Sequence, residues 1–181
     1  LEKADIPAAR TLLGLSALPS DHPLNVGMLG MHGSYAPNVM TQQADVIIAI
    51  GMRFSDRVTG RLDTYAKQAK IIHLDIDNVE IDKNVKTDVS VVGDCKMSLP
   101  AITRLLNKNE HTEWIEGFKP YLQQETEKVI EPAIHPKEGP LLMGEVVNAV
   151  AEATDGEAVL VNDVGQNQMF SCRYFKYKRK L

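Results

Sequence analysis

The stretch Val46-Ile47-Ile48-Ala49-Ile50-Gly51 decides the fold. It is β-branched at every strand position but Ala49, it does not alternate with polar residues, and a glycine closes it. A strand of that pattern is expected to be buried on both faces, as in a parallel sheet covered by helices. Downstream, Lys70-Ile71-Ile72-His73-Leu74-Asp75-Ile76-Asp77 reads as a second strand ending in acids, and Val89 to Val92 as a third, closed by Gly93-Asp94. Helical patterns lie between and after them. In the clearest, Ser98 to Asn107, the side chains of Leu99, Ile102, Leu105 and Leu106 share one face. Upstream, Ser34 to Gln43 holds good helix formers, with Ser34 at the N-cap position. Val26 to Gly33 carries three glycines, Leu12 to Asn25 reads as a long loop, and Ile6 to Thr11 as a short strand entered through Pro7. Strands alternating with helices imply βαβ units in an open twisted sheet.

Beyond Asn107 the pattern changes. His111 to Lys128 predicts a helix with Trp114, Ile115, Phe118, Tyr121 and Leu122 on its apolar side, broken near Lys119 because Pro120 follows. Residues 129–139, with Pro132, Pro136 and Gly139, read as a linker between residues 1–128 and 140–181. Leu141 to Ala153 then predicts a helix, Ala158 to Val161 a strand, and Val164-Gly165-Gln166 a turn at that strand's carboxyl end. About 40 residues are too few to bury an independent core, so this last part is expected to be the start of a truncated domain. Leu1-Glu2-Lys3-Ala4 reads as the last turn of a helix, and the chain is expected to be an excerpt from something longer.

The 181 residues are 44% hydrophobic and 24% charged, a globular balance that excludes disorder as the main reading. The longest apolar run, Val46 to Ile50, is too short to cross a bilayer, and no basic-then-apolar leader is visible. Cys95 and Cys172 lie 77 positions apart without CxxC or Cys/His ligand spacing, so no metal site is expected, and two lone thiols fit a reducing cytoplasm. Net charge is −4, and five cations (Arg173, Lys176, Lys178, Arg179, Lys180) crowd the last nine positions; without them the balance is −9. An acidic body repels phosphates. The tail is therefore read as the solvated end of a helix or loop rather than as a nucleic-acid arm.

In an open parallel sheet, ligands gather beyond the carboxyl ends of the strands, and every suggestive motif here lies at such an end. Gly27-Met28-Leu29-Gly30-Met31-His32-Gly33 places a glycine every third residue before a helix, which lets backbone N–H groups approach an anion or a flat ring; a tight turn alone would also need them. Gly51-Met52-Arg53-Phe54-Ser55-Asp56-Arg57 follows the buried run, and two arginines four apart can fork onto a diphosphate, unless one pairs with Asp56 and the other is solvated. Asp75 and Asp77 end the next strand, where a carboxylate can accept from ribose hydroxyls or cap a following helix. Gly93-Asp94 repeats the arrangement. These segments are expected to converge on one rim and outline a dinucleotide-sized groove. His32 reads as a contact to a cofactor ring or phosphate, since no nucleophile has a matching acid–base pair near it in sequence. His22, His73, His111 and His135 show no metal-ligand spacing.

Three segments carry a family resemblance: Leu29-Gly30-Met31-His32-Gly33; Gly51 to Gly60, which reads GMRFSDRVTG; and Asp163-Val164-Gly165-Gln166-Asn167-Gln168-Met169. The chain resembles, over almost its whole length, the catalytic (large) subunits of the acetolactate synthase, or acetohydroxyacid synthase, family. The resemblance implies an α/β fold with a doubly wound, mostly parallel Rossmann-like sheet, here lacking its first strand. It assigns residues 1–128 to the central FAD-binding domain of a thiamine-diphosphate-dependent enzyme and 140–181 to the start of the domain that binds the coenzyme's diphosphate and Mg²⁺. Such enzymes are transferases that condense pyruvate with pyruvate or 2-oxobutanoate in branched-chain amino-acid synthesis, with an FAD that has no net redox role. Carried over position by position, FAD would meet Thr11, Leu12 and Leu13; Leu29, Gly30, Met31 and His32; Gly51, Met52, Arg53, Ser55, Arg57 and Val58; Leu74, Asp75 and Ile76; and Gly93, Asp94 and Cys95. Val164, Gly165 and Gln166 would open the thiamine diphosphate site. The resemblance further implies 2-oxo acids as substrates, a homodimer or tetramer, and a cytoplasmic parent without nucleic-acid or membrane partners; it leaves a regulatory small subunit open.

Two positions depart from the family pattern. Ser55 stands where the family usually has Asp, and Asn167 where it usually has His. The resemblance implies that no catalytic residue falls in this chain, since the family's catalytic Glu and its metal motif belong to other parts of such enzymes. The fragment alone is expected to be inactive and to bind FAD poorly. The rival readings are a ligand-free structural central domain of another thiamine-diphosphate enzyme and an NAD-dependent oxidoreductase or deacetylase using the same strand-end groove. A further expectation is that Ala158 to Val161, or a strand of another copy, fills the place of the missing strand.

Overall fold

A computed structural model of the chain describes residues 1–178. In chain order the elements are β1 (Ala8–Arg10), β2 (Asn25–Met28), α1 (Tyr35–Thr41), β3 (Val46–Ile50), α2 (Asp56–Thr59), β4 (Lys70–Asp75), β5 (Val89–Val92), α3 (Cys95–Leu105), α4 (Thr112–Glu116), α5 (Lys119–Glu125), α6 (Glu131–Ile134), α7 (Met143–Ala153) and α8 (Gln166–Tyr174). Short 3₁₀ turns at Glu2–Ala4, Leu12–Ala17 and Asn78–Glu80 and a π-helical turn at Thr126–Ile130 complete them. The chain divides into two compact units, one built from Leu1–Ile6 and Val39–His111, the other from Pro7–Asn38 and the described residues from Thr112 on. The fold is mixed α/β with parallel sheets, consistent with a Rossmann-like central domain.

The first unit holds a parallel sheet of order β3-β4-β5, in register from Val46↔Lys70 to Ile50↔Leu74 and from Ile72↔Val89 to Asp75↔Val92. Asp88 locks the start of the second pair: its Oδ2 accepts from the Ile71 N–H at 2.8 Å and its own N–H donates to Ile71 O at 2.9 Å. The core forms on one face, where Ala49 and Ile71 pack with Met52, Phe54, Tyr65 and Ala66.

The expectation that β3 is buried on both faces is corrected. Ala49 is 3% exposed, but Val46, Ile48 and Ile50 are 40–44% exposed. β3 is the outer strand of the three, and its even-numbered face stays partly open. An unbroken apolar run states that a strand can be buried on both sides, whereas its neighbours decide whether it is.

The second unit contains the parallel pair β1-β2 and helices α4 to α8. β2 was not anticipated; Asn25-Val26-Gly27-Met28 has little strand propensity, and pairing with β1 makes it a strand. Part of the expected loop after β1 is wound into the 3₁₀ segment Leu12–Ala17, with Arg10 donating to the carbonyls of Leu15 and Leu18. The break near Lys119 falls between α4 and α5, with Pro120 in the first turn of α5, where its missing N–H costs nothing. Residues 126–134 continue as helix into the stretch read as a linker. The strand expected at Ala158 to Val161 does not form: the segment stays outside both sheets, with Val159 72% and Val161 89% exposed. The idea that it fills a vacant sheet position is therefore overturned.

Candidate functional site

In the first unit the parallel register brings three of the anticipated segments to one sheet edge. Gly51 follows β3, Leu74 and Asp75 end β4, Ile76 follows it, and Gly93 follows β5. The Gly51 N–H donates to Leu74 O at 2.8 Å and the Gly93 N–H to Asp75 O at 2.9 Å, which ties the three ends together. Gly51 has φ +58°, and a Cβ at Gly51 or Gly93 would meet nothing within 4 Å, so the backbone there faces open space.

The loop after Gly51 is anchored by Phe54. Its φ is +49°, uncommon for a bulky residue, and its ring is 2% exposed. The ring lies edge-on to Tyr65 (6.2 Å between centroids) and to His73 (5.1 Å). With Phe54 sunk into the core, Arg53 on one side and Ser55, Asp56 and Arg57 on the other stay near or at the surface. Arg57 reaches Asp56 only at 3.9 Å, with both side chains more than two-thirds exposed, a pairing worth little. Met52 packs into the core and Val58 against it.

Asp75 is 7% exposed and half committed: Oδ1 accepts from the Asp77 N–H at 2.9 Å, while Oδ2 lies 3.8 Å from His73 Nε2. His73 is fully buried and neither ring nitrogen has a hydrogen-bond partner among the described residues. Sequence reasoning set His73 aside for want of metal-ligand spacing. The signal that finds it is strand alternation, since residues two apart on β4 share a face. Asp77 caps the 3₁₀ turn through the Val79 N–H, and Asp94 caps α3 through the Lys96 N–H. Ile76 is 71% exposed. Cys95 is half-buried; burial and then the charges of Asp75 and Asp94 push its thiol pKa up.

The remaining anticipated segments lie in the second unit. The Leu29 N–H donates to Arg10 O at 2.8 Å, joining the glycine turn to the end of β1, where Thr11, Leu12 and the 93%-exposed Leu13 follow. Asn38 holds the turn from α1: the Gly30 N–H donates to Oδ1 at 2.9 Å, and Nδ2 donates to Gly30 O at 2.9 Å and Ser34 O at 3.0 Å. Gly33 N–H donates to Gly30 O, and Ser34 N–H to Met28 O. Among the described residues the N–H groups of Met31 and His32 donate to nothing, and both side chains are exposed. Two free amides on a fixed turn can receive an anionic or polar ligand atom. Val164, Gly165 and Gln166 are exposed; Gly165 has φ +138° and α8 starts at Gln166.

Of the basic tail, Arg173 belongs to α8 and pairs with Glu125, and Lys178 pairs with Asp155. Arg179 and Lys180 lie outside the described residues. Among the described residues no cluster of three or more His, Cys, Asp or Glu could hold a metal ion, and no helix is long and apolar enough to cross a membrane. An open groove of about 580 Å³ runs along α7 beside Ile134 and Leu141, and none of the anticipated site residues lines it.

The family described as thiamine pyrophosphate enzyme, central domain, matches residues 1–102. Among curated proteins the chain is 40% identical over 179 residues to the acetolactate synthase large subunit of Lactococcus lactis subsp. lactis, a match covering 98% of this chain and 30% of that protein. It is 40% identical over 187 residues to the probable acetolactate synthase large subunit of Methanocaldococcus jannaschii, covering 98% of the chain and 31% of the relative. It is 36% identical over 181 residues to acetolactate synthase 1, chloroplastic, of Nicotiana tabacum, covering 99% of the chain and 27% of the relative. The chain thus spans less than a third of the length of these relatives.

Proposed function

The chain belongs to the thiamine pyrophosphate enzyme family, through that family's central domain, and on this premise we propose that it is a piece of an acetolactate synthase catalytic subunit. The parent would condense pyruvate with a second 2-oxo acid, pyruvate or 2-oxobutanoate. Thiamine diphosphate, held with Mg²⁺ in the parent, supplies the carbanion-stabilising chemistry for that step. The contribution of this piece is to hold FAD without net redox work. Residues 1–128 form the FAD-holding part, 129–139 the connection, and 140–181 the beginning of the diphosphate domain.

The residues present fit FAD. Gly51 and Gly93 face open space at strand ends, which allows close approach of a flat or anionic group. Arg53 and Arg57 are exposed and not consumed by buried ion pairs, as a diphosphate would require. Met31 and His32 offer N–H groups that have no acceptor among the described residues. One observation carries the reading: the anticipated FAD segments of the first unit all lie at or just beyond the carboxyl ends of its parallel strands, where nucleotide ligands of such sheets bind. Among the described residues no hydrogen bond joins the Ser55 hydroxyl or the Cys95 thiol to a base, so a holding role suits these segments better than a catalytic one.

The test is flavin binding by the full-length parent with Arg53→Ala and Arg57→Ala. Each is expected to weaken FAD binding about tenfold or more, in keeping with loss of a charge-assisted contact, and to leave the melting temperature unchanged because both side chains are exposed. Unaltered affinity in both would sink the assignment. The isolated chain is expected to form no acetolactate and to bind FAD more weakly than micromolar; turnover, or micromolar binding, would refute those two points.

Asp75 favours the second reading, a ligand-free structural domain, because its carboxylate is already engaged by Asp77 N–H and faces His73. A colourless full-length protein that still makes acetolactate would decide for it.

A further inference from the structure

Glu125 ends α5 and is 7% exposed despite its charge. Both its oxygens are engaged. Oε1 accepts from Arg173 Nη1 at 2.8 Å and Oε2 from the Tyr35 N–H at 2.8 Å. The guanidinium has a second partner, since Arg173 Nη2 donates to Gly33 O at 2.8 Å. Tyr35 is the first residue of α1, so its N–H is one of the donors that a helix start leaves without an intrahelical acceptor. Asn38 and the glycine turn hold one another through Gly30 and Ser34, and of the groups they leave over the Glu125–Arg173 pair takes two, Gly33 O and Tyr35 N–H. Gly33 itself leaves no room for a side chain, because a Cβ there would lie 2.2 Å from Met28 O.

Arg173 sits near the end of α8, and α8 begins at Gly165-Gln166. One nine-residue helix therefore carries a candidate thiamine diphosphate segment at its start and, at its end, the cation that fixes the candidate FAD turn. The fork geometry matters. A planar guanidinium can serve a carboxylate and a carbonyl at once, whereas an ammonium is a single charge point.

We propose that Glu125 and Arg173 form a coupling clamp, in which Arg173 is a positioning residue that holds the Gly30–Gly33 turn and makes its order depend on the seating of α8. The clamp rests on geometry alone; the identity of the two ligands it couples rests on the proposed function.

The two claims are tested separately. Amide hydrogen exchange of the whole chain without ligand reads the clamp. In Arg173→Lys, Arg173→Gln and Glu125→Gln, exchange of the bonded amides among residues 29–36 (Leu29, Gly30, Gly33, Ser34 and Tyr35) is expected to accelerate about tenfold or more, while β3 and β4 keep wild-type protection. Arg173→Lys keeps the charge and loses the fork, so it remains informative if the neutral variants fail to fold. Wild-type exchange at residues 29–36 in Arg173→Lys, or acceleration spread equally over both units, would overturn the clamp.

Coupling is read in the full-length parent by titrating FAD with and without thiamine diphosphate, and the reverse. Each is expected to tighten the other by the same factor, as linkage requires, and Arg173→Lys to abolish that factor. A wild-type factor of one would overturn the coupling. Failure of wild type to bind FAD at all would instead sink the proposed function, with the exchange result still standing.

Discussion

Tyr65→Phe tests how the first unit is held together. The Tyr65 side chain is 6% exposed, its ring meets Phe54 edge-on at 6.2 Å, and its hydroxyl has no hydrogen-bond partner among the described residues. Burial pushes the phenol pKa from 10.0 up to about 12. A buried hydroxyl without a partner carries a desolvation cost of about 1–3 kcal/mol. Removing it leaves the ring contact with Phe54 in place, so Tyr65→Phe is expected to raise stability at pH 7 by about 1 kcal/mol.

The pH dependence has a definite sign. The folded pKa lies above the unfolded one, so the contribution of the neutral phenol is complete below pH 10 and is lost as pH rises through about 12, because the unfolded chain gives up its proton first. The loss over that window is about 2–3 kcal/mol, from about 1.4 kcal/mol per pH unit. Urea unfolding followed by circular dichroism at pH 7, 9, 10, 11 and 12 measures both effects. The variant should lose less stability than wild type between pH 10 and 12, with a residual decline from Tyr174 and Tyr177, which burial also raises. If Tyr65→Phe is destabilised by more than about 1 kcal/mol at pH 7, the hydroxyl has a partner and the reasoning fails. It fails equally if the two alkaline slopes coincide.

Three further outcomes are expected. Gly33→Ala places a methyl 2.2 Å from Met28 O and 2.7 Å from Leu29 C, both backbone atoms, and should cost about 3 kcal/mol or more in urea unfolding; a loss under about 1 kcal/mol would mean that the turn can open. Phe54→Ala empties a 2%-exposed site between Tyr65 and His73 and should cost about 3–5 kcal/mol, with a near-neutral result showing that the loop after β3 is not anchored there. Ile48→Lys, on the partly open face of the outer strand, should leave stability within about 0.5 kcal/mol in urea unfolding, and a large destabilisation would show that face to be covered.

The strands of the first unit were readable because their side chains announce them: Val46 to Ile50 and Val89 to Val92 are dense in β-branched residues, and Lys70 to Asp75 carries Ile71-Ile72 and closes on an acid. What was not readable is pairwise. Ala158 to Val161 has the same composition as a strand, yet it has no partner and stays outside both sheets; Asn25 to Met28 has a poor composition, yet pairing with β1 makes it β2. The same division runs through the candidate site. Glycines, arginines and acids at strand ends could be picked out one segment at a time, because a strand's end is a local property. His73 could not, since its interest lies in being buried without a partner beside Asp75. Arg173 could not either. In the sequence it is one of five cations in a tail, while its partners Glu125 and Gly33 lie 48 and 140 residues away. Composition establishes that a cation is present, and only the fold supplies its counter-ion. A charge run at a chain end is thus a weak statement about function until each of its members has been matched to what it touches.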